Sequence, residues 1–406
     1  MHIMSRTMSS DHATSQILPT YKPKAPHFVR GEGCHLWDSE GKHWIDALAG
    51  IAVNGLGHNH PRLVAAIAKQ AAEVLHVSNL YRHPAGEELA HKLCGLTHMD
   101  RVFFSNSGSE ANECALKIAR KAAWLHNQEH PNDMRGSHLV ALQGGFHGRT
   151  LGSLSVTSTP RYREPFAPLL ECLFVAPEDF AGLEEALSTH PAALILEPLQ
   201  GEGGLISLSN EFLQGARELC NQHNVVLIHD EVQSGCGRTG TFLCAEAAGV
   251  QPDIVTLAKP LAGGLPMGAT CVSEALGQIL EPGDHGSTFG GGPLASCAAL
   301  VFLDEYEKGL AQNITARGEQ LTKGLDALVA SSDLLKERRG RGLMQGLVIP
   351  GRAAEFEAKA FEAGLLVGTS AGDVLRLVPP YVLTAEDTDS ILNHLKTVLI
   401  SMDTTS

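Results

Sequence analysis

The sequence predicts an α/β protein, with a large domain on a mostly parallel sheet and a smaller α+β domain after it. Three observations predict this. From about residue 62, apolar runs of strand length alternate with amphipathic helical patterns, the alternation that builds parallel sheets. After about residue 312 that rhythm changes to long helices separated by isolated strand-like stretches. The chain also has 406 residues, 43% of them hydrophobic and 19% charged, enough for two or three units around a sizeable core. The expected division is a lead-in over residues 1–20, a segment 21–61 packing with the small domain, a large domain over 62–311 and the small domain over 312–406.

In order along the chain, residues 62–75 and 87–96 carry apolar positions at helical spacing. Residues 101–105 read as a short strand, followed at once by Asn106-Ser107-Gly108-Ser109 and a long helix with Ala115, Ile118, Ala119, Ala122 and Leu125 on one face. Further strands are expected at 138–142, 172–175, 193–196, 225–229, 254–257 and 270–272, with helices at 181–187 and 211–223 between some of them. In the last part, a long helix after 312 precedes one strand-like stretch at 340–348. A helix at 353–363, a strand at 374–378 and a final helix at 385–399 follow.

A net charge of −14 argues against nucleic acid or an anionic membrane surface as the main partner. The apolar runs are far too short to cross a bilayer, and residues 1–20 lack the apolar stretch of a signal peptide. Nine cysteines, an odd number without a Cys-x-x-Cys pair, fit reduced thiols in a cytoplasmic protein. His58 and His60 flank Asn59, but neither cysteine nor carboxylate neighbours complete a ligand set, so no metal site is expected.

Lys259 is a lone charge in the apolar, glycine-closed stretch TLAKPLAGG. A lysine kept dry there has a lowered pKa and an accessible neutral amine, and Schiff-base formation with a carbonyl cofactor is a leading use of such an amine. Asp230 ends the apolar run VVLIHD, where open α/β sheets gather ligands. A pyridoxal ring needs both residue types: a lysine to hold its aldehyde and an acid at its pyridine nitrogen. Ser107, Gly108 and Ser109 lie at a strand-to-helix turn, where free amides and the helix dipole bind anions. The glycine-rich loop HGSTFGGGP, with Ser287 and Thr288, offers further hydroxyls and amides.

Six motifs occur in order: FSNSGSEAN at 104–112, GFHGRT at 145–150, EPLQGEGG at 197–204, DEVQ at 230–233, GRTG at 237–240 and the Lys259 stretch. From about Tyr21 to Leu399 the chain resembles class III (subgroup II) pyridoxal-phosphate aminotransferases, nearest to their acetylornithine branch. The resemblance implies pyridoxal-phosphate transferase fold type I and pyridoxal 5'-phosphate as cofactor. It also implies a homodimer with shared active sites, and transfer of the δ-amino group of N2-acetylornithine to 2-oxoglutarate in arginine biosynthesis. By resemblance, Lys259 forms the imine and moves the proton, and Asp230 pairs with the ring nitrogen. The DEVQ segment surrounds the ring, with Glu231 beside it, Val232 on one face and Gln233 at the ring hydroxyl. Phe146 covers the other face, and Ser107, Gly108 and Ser109 hold the phosphate, joined by Thr288 from the neighbouring subunit. Arg149 clamps the substrate α-carboxylate, and Ser287 is also on the substrate side. Arg376 receives the carboxylate of 2-oxoglutarate, and Glu202 masks that arginine in the first half-reaction.

The substrate reading rests on Gly50, where ornithine aminotransferases usually carry tyrosine; glycine leaves room for an acyl group. Succinylornithine, ornithine, succinyl-diaminopimelate and 4-aminobutyrate remain as alternative donors. Gly292, Pro260 and Ser109 depart from the usual family residues. A runner-up of another class, a nicotinamide-dependent dehydrogenase, comes from GCGRTG at 235–240, which fits G-x-G-x-x-G but does not leave its strand directly.

Overall fold

A computed structural model describes residues 16–403, so most of the expected lead-in over 1–20 lies outside the described residues. The centre is a seven-stranded sheet. Its order is Arg101–Ser105, Gly268–Val272, Ile254–Leu257, Val226–Asp230, Ala193–Leu196, Leu139–Leu142 and Cys172–Val175. Gly268–Val272 runs antiparallel to both neighbours and the remaining pairings are parallel.

The strands are apolar at successive positions because both faces are covered. Leu194, Leu196 and Leu227 pack with Leu183 and Phe212 on one side. Leu139, Ile195 and Ile228 pack on the other with Ala115, Ile118 and Ala119 of the helix Gly108–Glu129. Here sequence pattern becomes packing: alternate residues of one strand serve two different helical layers.

The N-terminal strands Phe28–Glu32, His35–Asp38 and His43–Asp46 form a small sheet that Leu365–Leu366 joins in parallel with His43–Asp46. The C-terminal part carries an antiparallel sheet in the order Glu337–Arg341, Met344–Val348, Val374–Leu377, Gly368–Ser370, flanked by the helices Ala311–Ser331, Ala353–Glu362 and Ala385–Asp403. The single strand-like stretch expected over 340–348 is instead the end of one strand, the turn and the second strand of a hairpin. Gly340 and Gly342 take φ of 83° and 58° there, values glycine adopts without steric cost. The N-terminal strands and the helix Pro293–Glu305 went unread. Those strands are short and half exposed, so they lack the apolar run that marks a central strand.

Among the described residues no helix is long and apolar enough to cross a membrane. All nine cysteines are free.

Candidate active site

Five strands of the central sheet point their carboxyl ends to one edge, and the segments that follow them build one cavity of about 340 Å³. Arg101–Ser105 delivers Ser107, Gly108 and Ser109; Leu139–Leu142 delivers Phe146 and His147. Ala193–Leu196 delivers Glu197, Val226–Asp230 delivers Asp230, Val232 and Gln233, and Ile254–Leu257 delivers Lys259.

Lys259 leaves its strand with φ of 44°, opening a 3-10 turn over Lys259–Ala262. A left-handed backbone at a non-glycine residue costs about 1–3 kcal/mol and persists only where surrounding structure enforces it. The enforcement is visible in Pro260, Leu261 and Ala262, all buried. Pro260, one of the departures, is the second residue of that turn, still within the first turn, where its missing amide N–H leaves no helical bond unmade. Burial lowers the pKa of Lys259, outweighing the attraction of Asp230 and Glu202, and Arg376 adds to the lowering. The amine is thereby brought toward its neutral, nucleophilic form.

Asp230 is fixed from three sides. Asn112 Nδ2 donates to Oδ2 at 2.7 Å, His147 Nδ1 lies 2.7 Å from the same oxygen, and the Val232 amide donates to Oδ1 at 3.0 Å. Asn112 is itself oriented by the Thr256 hydroxyl, which donates to its Oδ1 at 2.7 Å. Burial opposes a charge on His147, but the hydrogen bond and field of Asp230, with Glu197 behind, hold its pKa above the usual histidine range. Neither His147 nor Asn112 stood out as a site residue in the sequence. Their partners lie 83 and 118 residues away, and local pattern carries no trace of that distance.

Ser107 caps the helix Gly108–Glu129, accepting from the Glu110 amide at 3.2 Å. A Cβ on Gly108 would lie 2.6 Å from Val232 Cγ1, so only glycine lets this helix start close against the Val232 segment. Ser109 Oγ accepts from the Arg149 amide at 3.4 Å, tying the cradle to the GFHGRT loop. Free amides at a long helix's N-terminus, a dry lysine and an anchored acid are the donor set that a pyridoxal phosphate requires, and the residues fit it.

Arg149 is exposed, its guanidinium stacked 3.5 Å from the Tyr162 ring centroid and 5.4 Å from that of Phe146. Tyr162 was not anticipated; no motif contains it. Glu202 sits at the tip of the hairpin formed by Leu199–Gln200 and Ile206–Ser207 and pairs with Arg376 of Val374–Leu377. Arg376 also donates to Gln233 Oε1 at 3.1 Å, and its buried Nε has no hydrogen-bond partner. Both cross-strand neighbours of Arg376, Gly346 and Gly368, are glycines, which leaves its side chain room. Despite partial burial, the field of Arg376 holds the Glu202 carboxyl below its usual range.

Arg149, Glu202 and Arg376 touch the lining residues Phe146 and Gln233 without lining the cavity themselves, and three further expected residues lie elsewhere. The Glu231 carboxylate accepts from Ser234 Oγ at 2.8 Å and from the Ala245 amide at 3.0 Å, outside the cavity lining. Burial pushes its pKa up to about 7. Ser287 lines a separate cavity, accepting from Asn106 Nδ2 at 3.1 Å, and Thr288 is exposed. The departure Gly292 caps the helix Pro293–Glu305. Gly50 borders a neighbouring cavity with Asn54 and His58 rather than the one around Lys259. His58 Nε2 is 2.9 Å from Asp46 Oδ2. The GCGRTG segment buries Arg238, which donates to the Leu343 carbonyl at 3.1 Å and stacks 4.2 Å from the Tyr381 ring centroid. That is a packing role, and the segment opens no dinucleotide-binding helix.

Fold and site together define a pyridoxal-phosphate enzyme of fold type I. The family model described as aminotransferase class-III matches residues 20–399, and the chain belongs to that family. It is a pyridoxal-phosphate-dependent aminotransferase. The acetylornithine aminotransferase of Gloeobacter violaceus is 43% identical over 96% of this chain and 97% of its own length. That of Methanocaldococcus jannaschii is 41% identical over 91% and 92%. Among solved structures, the ornithine aminotransferase of Toxoplasma gondii superposes with a TM-score of 0.90 at 33% identity, covering 96% of this chain and 93% of that one. The N-acetylornithine aminotransferase of Stenotrophomonas maltophilia gives 0.82 at 36%, covering 95% and 98%.

Proposed function

We propose that the enzyme transfers the δ-amino group of N2-acetylornithine to 2-oxoglutarate, giving glutamate and the semialdehyde, as a step of arginine biosynthesis. The observation that carries this reading is near-full-length likeness, at 41–43% identity, to proteins named acetylornithine aminotransferase. The geometry supports it with two arginines of unlike setting, suited to two carboxylate substrates taken in turn. Arg149 is exposed at the mouth, and Arg376 is buried behind Glu202.

When bound, pyridoxal phosphate supplies the carbonyl that takes the amino group and a ring that accepts electrons. Everything else falls to the chain. Ser107, Gly108 and Ser109 would hold the phosphate, Phe146 and Val232 would enclose the ring, and Gln233 would offer it a hydrogen bond. Asp230, anchored by its three hydrogen-bond partners, would hold a proton on the ring nitrogen. Lys259 Nζ would take the proton from the donor carbon that bears the amino group and return it on the other side of the nitrogen, at the cofactor's former carbonyl carbon. Arg149 orients the donor by its α-carboxylate while Glu202 neutralises Arg376. In the second half Glu202 withdraws, and the Arg376 guanidinium, with its spare Nε donor, takes the keto acid.

The working unit is a homodimer in which Thr288 of each subunit completes its partner's phosphate site. Supporting this, Thr288 is exposed, and Leu80, Tyr81 and Phe289 leave apolar surface open beside its loop. Light scattering is expected to give twice the chain mass. The free cysteines accord with a reducing cytoplasm.

The deciding experiment is kcat/KM for five donors with 2-oxoglutarate: N2-acetylornithine, N2-succinylornithine, ornithine, N-succinyl-diaminopimelate and 4-aminobutyrate. N2-acetylornithine is expected to lead. Ornithine is the second reading, favoured by the 0.90 structural match, and its lead would overturn the first.

A further inference from the structure

Glu197 is buried at the end of Ala193–Leu196, with 4% exposure, next to the strand that carries Asp230. Its two carboxylate oxygens are spent on two different loops. Oε1 accepts from the Phe146 amide at 2.8 Å, and Oε2 accepts from the Gly201 amide at 3.0 Å. The first loop carries the aromatic cover of the cavity, and the second is the hairpin whose next residue is Glu202. The loops are laced again by Gln200 Nε2, which donates to the Gln143 carbonyl at 2.9 Å. A Cβ on Gly203 would lie 2.7 Å from the Gly144 carbonyl oxygen, so the two backbones are in close contact. On its far side the Gly201 carbonyl accepts from Ser370 Oγ at 2.8 Å and from Arg376 Nη1 at 3.5 Å. A continuous path therefore runs from the Phe146 amide through one carboxylate to the backbone that positions Arg376 and Glu202.

We propose that Glu197 is a positioning residue that couples the Phe146 cover to the Glu202–Arg376 gate. When Glu202 withdraws, the hairpin loses its ion pair to Arg376, and the Gly201 amide held by Glu197 remains as an anchor. The anchor keeps Arg376's carbonyl partner fixed while the carboxylate beside it leaves. With the gate shut, the Glu202–Arg376 pair itself locates the hairpin, so the anchor matters less. Loss of Glu197 therefore falls harder on the keto-acid half-reaction than on the amino-donor half. The inference rests on the reading of Arg376 as the keto-acid arginine.

The test uses Glu197→Gln, which keeps size but turns an amide donor toward one of the two N–H groups, leaving that group without an acceptor. The two half-reactions of the holoenzyme are followed separately by rapid mixing. The expected result is a fall of about 10-fold or more in kcat/KM for 2-oxoglutarate, with the donor half changed about threefold or less. Hydrogen exchange of apoprotein supplies a readout independent of turnover. Glu202→Gln is expected to speed exchange in the peptide containing Phe146, and adding Glu197→Gln is expected to abolish that transmitted effect. Equal losses in both half-reactions, or a Phe146 peptide indifferent to Glu202→Gln, overturn the coupling. Arg376→Lys separates this failure from that of the underlying reading. If it leaves the 2-oxoglutarate half unchanged, the gate reading falls; if it impairs that half while Glu197→Gln acts evenly, only the coupling falls.

Discussion

Asp230 and Glu202 both act on Lys259, yet they are held in opposite ways. Asp230 has a side chain 4% exposed, three hydrogen-bond donors from three elements, and a second layer in Thr256 that orients one of them. Glu202 has a side chain 35% exposed, stands on a hairpin tip, and depends on one ion pair with Arg376 and a 3.5 Å contact from Gln233. An over-determined carboxylate suits a constant task, as proposed for Asp230 in holding one proton through the whole cycle. A carboxylate held by one ion pair and one long contact suits the proposed task, which must be undone once per cycle. The surroundings of each acid, rather than its chemical type, assign its part.

The largest effect expected from breaking this arrangement is at Lys259, which both acids address. Lys259→Ala should abolish the visible absorption of the cofactor-bound protein and lower turnover by about 10⁴-fold. Normal turnover would remove the lysine from the mechanism. Next is the fixed acid: Asp230→Asn should lower kcat for both half-reactions alike, by about 10²- to 10³-fold, because the electron sink serves both. An effect confined to one half would show that Asp230 is not constant through the cycle. Arg149→Ala should raise KM for the amino donor by about 10- to 100-fold through loss of a charged clamp. An unchanged KM would place the α-carboxylate elsewhere.

The smallest effect concerns pH. Arg376 depresses the Glu202 pKa, so their pair is complete above the ordinary carboxylate range and is lost only as pH falls through the depressed value. From neutrality down to about pH 5, kcat/KM for the amino donor, the half in which the pair is intact, should show no break assignable to Glu202. A break that vanishes in Glu202→Gln would contradict the tight pairing.

The fixed region was partly legible in sequence and the movable one scarcely. Asp230 and Lys259 end apolar runs, so strand-end placement could be argued locally. The alternation of strands and helices also carried the central sheet, since its strands are apolar on both faces. Asn112, His147 and Glu197 act through hydrogen bonds to residues distant in sequence, and nothing local marks a buried polar side chain as an anchor. Glu202 and Arg376 are 174 residues apart on elements from different sheets, and only their likeness to a family brought them together. Ser287 and Thr288 lie outside the cavity around Lys259, and only the family resemblance marked them as site residues.

The most direct test of a fixed acid opposite a movable one is Arg376→Ala, with the half-reactions measured separately. The donor half is expected to stay within about threefold of wild type and the 2-oxoglutarate half to fall by about 100-fold or more. Equal reduction of both halves would contradict a movable acid.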